Sequence, residues 1–316
     1  MKIIKLSGPS EQCEPCVATI GFFDGVHRGH RYLLSHITRD AKANGLASTA
    51  VTFDVHPRKV LQTDYQPQLL TTIDEKLLLL SKTGVDNCAL LHFDKAMSEM
   101  TATDFMRDIL AERLNVKKLY IGYDHHFGHD TGATFEDYCR YGRQLGIEVM
   151  RSPAFTINGS NISSSLIRKY LLDGEIELAN NGLGYPYTIL GKVVSGYRIG
   201  HRIGFPTANI DMSGQDKIMP APGVYAVKAR LSDSVVFMHG MMNIGTRPTF
   251  DGTSLTIEVN LFNFNGDLYG RDLLISFIHR IRQERKFSSA GELSEQLKKD
   301  KALVEQQFAK DIELES

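Results

Sequence analysis

Two histidines three residues apart, His27 and His30, stand in "ATIGFFDGVHRGHRYLLSHI" behind a run holding Gly21, Asp24 and Gly25. A short apolar segment gives way there to a helical pattern. Glycines at a strand-to-helix turn let backbone N–H groups approach a phosphate, and the N-terminus of the following helix adds positive potential. Imidazoles at i and i+3 share a helix face and can donate to oxygens on which charge develops during attack at phosphorus. An isolated H-x-x-H is more often a pair of cap or surface histidines, but the glycine-rich approach and the strand–turn–helix setting favour phosphate chemistry here. A second candidate wall is "NISSSLIRKYLLDGE", in which Ser163, Ser164 and Ser165 open a helix and Arg168 follows one turn later. Hydroxyls and free N–H groups there can hold phosphate oxygens, and a guanidinium can clamp them in bidentate fashion.

A third candidate is a carboxylate. In "TIEVNLFNF" the period-2 alternation puts Ile257, Val259 and Leu261 on one face and Thr256, Glu258, Asn260 and Phe262 on the other. Glu258 can then face a polar or ligand-filled space while its neighbours pack a core. The competing reading is a carboxylate that protects an exposed sheet edge.

These residues need elements to position them. The first half of the chain alternates short apolar runs with helical patterns: "CVATIGFF" as a strand, "HRYLLSHITRDAKANG" as a helix closed by Gly45, "LASTAVTFD" as a strand, and "DEKLLLLSKTG" as a helix ending at Gly84. "NCALLHFD", "TATDFMRDILAERLN" and "KKLYIGYD" repeat the order. This predicts a doubly wound parallel sheet with ligands at the carboxyl ends of its strands. His27 and His30, the segment Asp54 to Arg58, and Asp124 to Phe127 all fall there. After about residue 183 come β-rich runs separated by Gly, Pro, Asp and Asn, the pattern of an antiparallel barrel or sandwich, and then a closing amphipathic helix with Ser289 at its N-cap and Glu292 three residues on. The linker falls in "NNGLGYPY", which divides the chain into domains 1–183 and 184–316.

Charge narrows the function. With 36 Lys+Arg against 37 Asp+Glu in 316 residues, the chain lacks the electrostatic grip that nucleic acid or an anionic membrane would need. The N-terminus has no h-region and no apolar run approaches a membrane span, so a cytoplasmic protein is expected. Cys13 and Cys16 form a C-x-x-C without a second half-site, and they are read as incidental thiols.

The segments "GFFDGVHRGH", "TFDVHP", "GYDHHFG" and "ISSSLIR" resemble the adenylyltransferase module of bacterial FAD synthetases, Rossmann-like relatives of the H-x-G-H nucleotidyltransferases. "GHRIGFPTANI", "PGVYAV", "NIGTRPTF", "IEVNLFNFNGDLYG" and "RIRQERKF" resemble the riboflavin kinase β-barrel module fused behind it. The resemblance implies a bifunctional enzyme that phosphorylates riboflavin to FMN and then adenylylates FMN to FAD, both steps using ATP with Mg²⁺. It implies that His27 and His30 stabilise the α-phosphate of ATP, with Gly21, Asp24 and Gly25 shaping the turn. Ser163, Ser164, Ser165 and Arg168 would hold pyrophosphate, and Asp124 would line the nucleotide or flavin side, where Arg282 is also placed. In the second module Thr207 and Asn209 would ligate Mg²⁺ and the ATP phosphates under a loop with Gly200 and Gly204, and Glu258 would be the general base. His125 and His126, Ser165 and Asn263 depart from the family pattern. A nucleotidyltransferase with a nucleic-acid-binding barrel would want a basic or aromatic surface that the charge balance does not support. A non-catalytic flavin-binding regulator would not need the base and the phosphate clamps. A metal protein built on the local histidines lacks a ligand set.

Overall fold

A computed structural model of the chain describes residues 1–6, 13–62, 64, 66, 68–122, 127, 133–152, 155–157, 159–195, 204–249 and 252–315, with 247–249, 252–254 and 312–315 described in backbone only. It divides into two compact units, Met1–Ser164 and Ser165–Ser316.

The first unit is a six-stranded parallel sheet of β1 (Lys2–Lys5), β2 (Cys16–Ile20), β3 (Ala47–Phe53), β4 (Asn87–Leu91), β5 (Val116–Ile121) and β6 (Glu148–Arg151), in the order β1-β4-β3-β2-β5-β6. The chain runs outward from β2 in both directions, so a crevice opens at the carboxyl ends of β2 and its neighbours. Both faces are apolar. Cys16, Ala18 and Ile20 of β2 join one buried cluster, while Val17 joins another with Leu34, Ile37 and Ala41 of the helix Arg28–Asn44. That helix ends as its sequence predicts, with Gly45 in the left-handed region at φ 66°. The helix Ile73–Ser81 starts on a capping box between Thr72 and Glu75. The predicted helix after Thr101 forms as Ala102–Asp104 followed by a wider, π-helical stretch, Phe105–Arg113. The edge strands β1 and β6 carry no periodicity of their own; pairing with β4 and β5 makes them strands. A short hairpin, β7 (Thr156–Ile157) and β8 (Ser160–Asn161), leads to the helix Ser164–Asp173.

The second unit is a closed antiparallel barrel of β9 (Thr188–Val194), β10 (Ala208–Asp211), β11 (Gly223–Leu231), β12 (Met238–Thr249), β13 (Gly252–Leu261) and β14 (Asp272–Gln283), in the order β10-β13-β12-β11-β14-β9. Closure removes every edge, so Glu258 in β13 is not an edge carboxylate. It pairs with Asn209 on one side and Asn243 on the other. Along β13, Ile257 and Val259 are buried. The opposite parity meets the closing helix Ala290–Glu315, whose Val304 and Phe308 pack with Val224, Ala226, Met241 and Phe262. Ser289 accepts from Glu292 N as expected, while the Glu292 carboxylate reaches back to Ser288 N rather than to the cap itself. The helix Ile176–Leu183 also belongs here: Asn180 Nδ2 donates to Phe277 O, and Asn180 Oδ1 accepts from Tyr187 N.

Candidate active sites

His27 is the N-cap of the helix Arg28–Asn44, and its Nδ1 accepts from His30 N at 3.3 Å. With Nδ1 an acceptor, the neutral ring carries its proton on Nε2. The two imidazoles stack at 3.6 Å with 20° between planes, and Phe23 stands edge-on to His30 at 5.2 Å. The predicted shared face therefore exists.

The turn before the histidines is held from several sides. Asp24, 2% exposed, accepts from Leu70 N with both oxygens and from Thr71 N and Thr71 Oγ1, and Gly25 N donates to Thr71 Oγ1. Its carboxylate is thus spent on the backbone of residues 70 and 71, which suits a residue that shapes the turn. Gly25 is required by its φ of 79°. Gly21 and Gly25 are both buried. Gly29, to which the sequence assigned no role, is tightly enclosed: a Cβ there would lie 3.1 Å from Ile162 O and 3.2 Å from the His27 ring. That close approach brings in the serine segment, and Ser164 Oγ donates to Asp24 O at 2.9 Å. Ser163 is exposed. Ser165 and Arg168 continue the helix in the second unit. Asp124 and its neighbours His125 and His126 lie outside the described residues.

The segment after β3 is engaged mainly with the loops after β4 and β2. Asp54 pairs with His92 Nδ1 at 2.8 Å, which raises the His92 pKa, and accepts from Phe93 N; His56 caps Arg58 N and meets the Phe22 ring edge-on. Sequence reasoning also missed Lys76, a charged side chain only 3% exposed whose Nζ donates to Phe53 O at 2.7 Å and Phe22 O at 3.2 Å. It stands at an apolar position of an amphipathic helix, so no pattern flags it. The C-x-x-C is divided by the fold: Cys16 is buried in β2, and desolvation pushes its thiol up to about 11.

In the barrel, Thr207 Oγ1 donates to Glu258 Oε2 at 3.1 Å, and Asn209 stands directly opposite Glu258 in the β10–β13 ladder. "PTAN" is therefore not all loop: Asn209 is already inside β10. Asn260 Nδ2 donates to Pro206 O at 2.7 Å and fixes the approach to Thr207. Two cavities meet at this point. One, of about 510 Å³, lies among Val193, Ala208, Val259, Leu261 and the segment 264–269; the other, of about 270 Å³, lies among Asn243, Glu258, Asn260 and Leu293 and Leu297 of the closing helix. Thr207 lines both. Asn243, next to Glu258 in the ladder, lines the smaller cavity, and the sequence assigned it no role. Arg282 lines the smaller cavity with its guanidinium committed, Nε and Nη2 to the fully buried Asp300 and Nη1 to Gln283 O. Gly204 has φ 81° and an exposed surface, and Gly200 lies outside the described residues. Among the described residues no group of three or more His, Cys, Asp or Glu could hold a metal ion.

Family models match both units: "FAD synthetase" over residues 10–166 and "Riboflavin kinase" over residues 183–308. The bifunctional riboflavin kinase/FMN adenylyltransferase of Escherichia coli (strain K12) is 38% identical over 295 residues, 93% of each chain. That of Haemophilus influenzae is 36% identical over 95% of this chain and 97% of its own. The chain belongs to the bifunctional riboflavin kinase/FMN adenylyltransferase family. A crystal structure described as a macrolide-efflux protein from Streptococcus pneumoniae shares the family fold, with TM-score 0.84 and 31% identity over 96% of this chain and 99% of that one. Among the described residues no helix is long and apolar enough to cross a membrane.

Proposed function

We propose that the two activities of this family are divided along the chain, with adenylyl transfer at the histidine turn within residues 1–183 and riboflavin phosphorylation in the barrel of residues 184–316. The enzyme phosphorylates riboflavin with ATP to give FMN, then transfers AMP from ATP to FMN to give FAD and pyrophosphate. The family-model limits at residues 166 and 183 support two modules in this order, while the compact units divide earlier, between Ser164 and Ser165. Four free thiols fit a cytoplasmic location.

The kinase assignment rests on Thr207 standing between two cavities with its hydroxyl on Glu258. Nucleotide takes the larger cavity and flavin the smaller, so the transferred phosphoryl group crosses at Thr207. Glu258 accepts the proton of the riboflavin 5′-hydroxyl as that oxygen bonds the γ-phosphorus and the bond to ADP breaks. Because the Thr207 proton points to Glu258, its oxygen lone pairs face away, and the hydroxyl with the Asn209 amide is a donor set that suits Mg²⁺ shared with phosphates. Thr207 and Asn209 would hold that ion, which neutralises phosphate charge. At the other site, His27 and His30 donate to the α-phosphate while the FMN phosphate attacks it, and Ser163, Ser164, Ser165 and Arg168 receive the pyrophosphate.

The test is flavin turnover with riboflavin, ATP and Mg²⁺. Glu258→Gln stops FMN formation while added FMN is still converted to FAD, and His27→Ala with His30→Ala does the reverse, with a loss of roughly a hundred-fold or more per lost donor. An unaffected activity in its assigned variant, or the two losses exchanged, refutes the assignment.

A further inference from the structure

The turn that carries His27 is unfavourable by itself. Phe23 at φ 52° and Val26 at φ 35° are non-glycine residues in the left-handed region, and Val26 is β-branched, so strained conformations must be imposed from outside. Thr71, Ser164 and Arg31 hold the turn at Gly25 N, Asp24 O and Val26 O. Its entry, the carbonyl of Phe22, receives two donors: Thr52 Oγ1 at 3.1 Å and Lys76 Nζ at 3.2 Å. Lys76 Nζ also donates to Phe53 O at 2.7 Å and stands 4.1 Å from the centroid of the Phe22 ring. One ammonium therefore joins the carboxyl ends of β2 and β3, where the histidine turn and the loop after β3 begin.

We propose that Lys76 is a positioning residue for adenylyl transfer, clamping Phe22 O and Phe53 O so that the turn aims His27 and His30 at the reacting phosphate. A lysine is an expensive way to satisfy two carbonyls. Burial pushes its pKa down to about 8, opposed by the carboxylates of Asp24 and Asp54 and by Cys88 of β4. A methionine would fill the space without that cost, so the charge answers a need beyond packing. His56 faces the same Phe22 ring edge-on, and Asp74 and Glu75 share the lysine's helix. As pH rises through about 8 the folded chain loses the cation, and the remaining amine donates more weakly to the two carbonyls.

The proposal rests on adenylyl transfer taking place at the histidine turn, and the experiment separates the two. FMN adenylylation and riboflavin phosphorylation are followed from pH 6.5 to 9.5 in the wild type, Lys76→Met, Lys76→Arg and His27→Ala. The expected result is an alkaline fall in the adenylylation kcat with a midpoint near 8 that the kinase reaction lacks. Lys76→Met lowers kcat at least about tenfold, as expected for a displaced catalytic group, with less effect on KM and no alkaline fall. Lys76→Arg keeps the cation and moves the fall beyond the range. A wild-type profile without the fall overturns the proposal whether or not the variants fold, as does a fall that persists in Lys76→Met. If His27→Ala leaves adenylylation intact, the site assignment itself fails.

Discussion

Replacing Asp24 with Asn tests how the histidine turn is held. The buried carboxylate takes three donors: Leu70 N, Thr71 N and Thr71 Oγ1, at 3.0 to 3.1 Å. An amide with its oxygen at the Oδ1 position can still accept from all three, but its buried NH₂ group then faces Leu70 N in place of Oδ2, a donor set against a donor, and all three bonds lose charge assistance. An unmet buried donor costs about 1–3 kcal/mol and the weakened bonds roughly another 1, which gives about 3 kcal/mol in all. For a unit of this size that lowers the melting temperature by about 6–12 °C. Calorimetry of the full chain should show the transition of the first unit falling while that of the barrel stays. FMN adenylylation should drop with the misplaced histidines, and riboflavin phosphorylation should hold. Removing the nearest carboxylate also lowers the Lys76 pKa further, so any alkaline fall in adenylylation moves to lower pH. An unchanged melting temperature would refute the reasoning. Lost adenylylation without lost stability would mean that Asp24 touches substrate and does not hold the turn.

Two further outcomes follow from packing and burial. A fragment from Ser165 should melt higher than one from Gly184, because Ile176, Ala179 and Leu183 are fully buried in a helix that bonds to β14 through Asn180; equal melting would detach that helix from the barrel. Cys16 and Cys88, each pushed up to about 11 by desolvation, keep their protons when folded while the unfolded thiols release theirs near 9. Stability should therefore fall between pH 9 and 11, two protons outweighing the opposite contribution of the single Lys76, and a urea midpoint that does not move across that range would contradict the burial.

Local pattern fixed a great deal of this protein. Apolar periodicity and glycine punctuation located the central strands, the helix closed by Gly45 and the change from parallel sheet to barrel. The side-chain types at His27, His30, Thr207, Asn209 and Glu258 pointed to phosphate chemistry, and the fold sets His27 beside His30 and Thr207 and Asn209 beside Glu258. These signals are readable because each depends on neighbours within a turn of helix or a few residues of strand. Tertiary structure decided the rest. β1 and β6 are strands because β4 and β5 offer them hydrogen bonds. Glu258 is not an edge carboxylate because the barrel closes, setting Asn209 and Asn243 on either side of it. The sequence places Asp24 in the turn, but what it anchors was set by residues 70 and 71, which return to it across 46 and 47 positions. Lys76 was invisible for the same reason: an ammonium is worth burying only where two distant strand ends present carbonyls to it, and no local spacing encodes that meeting.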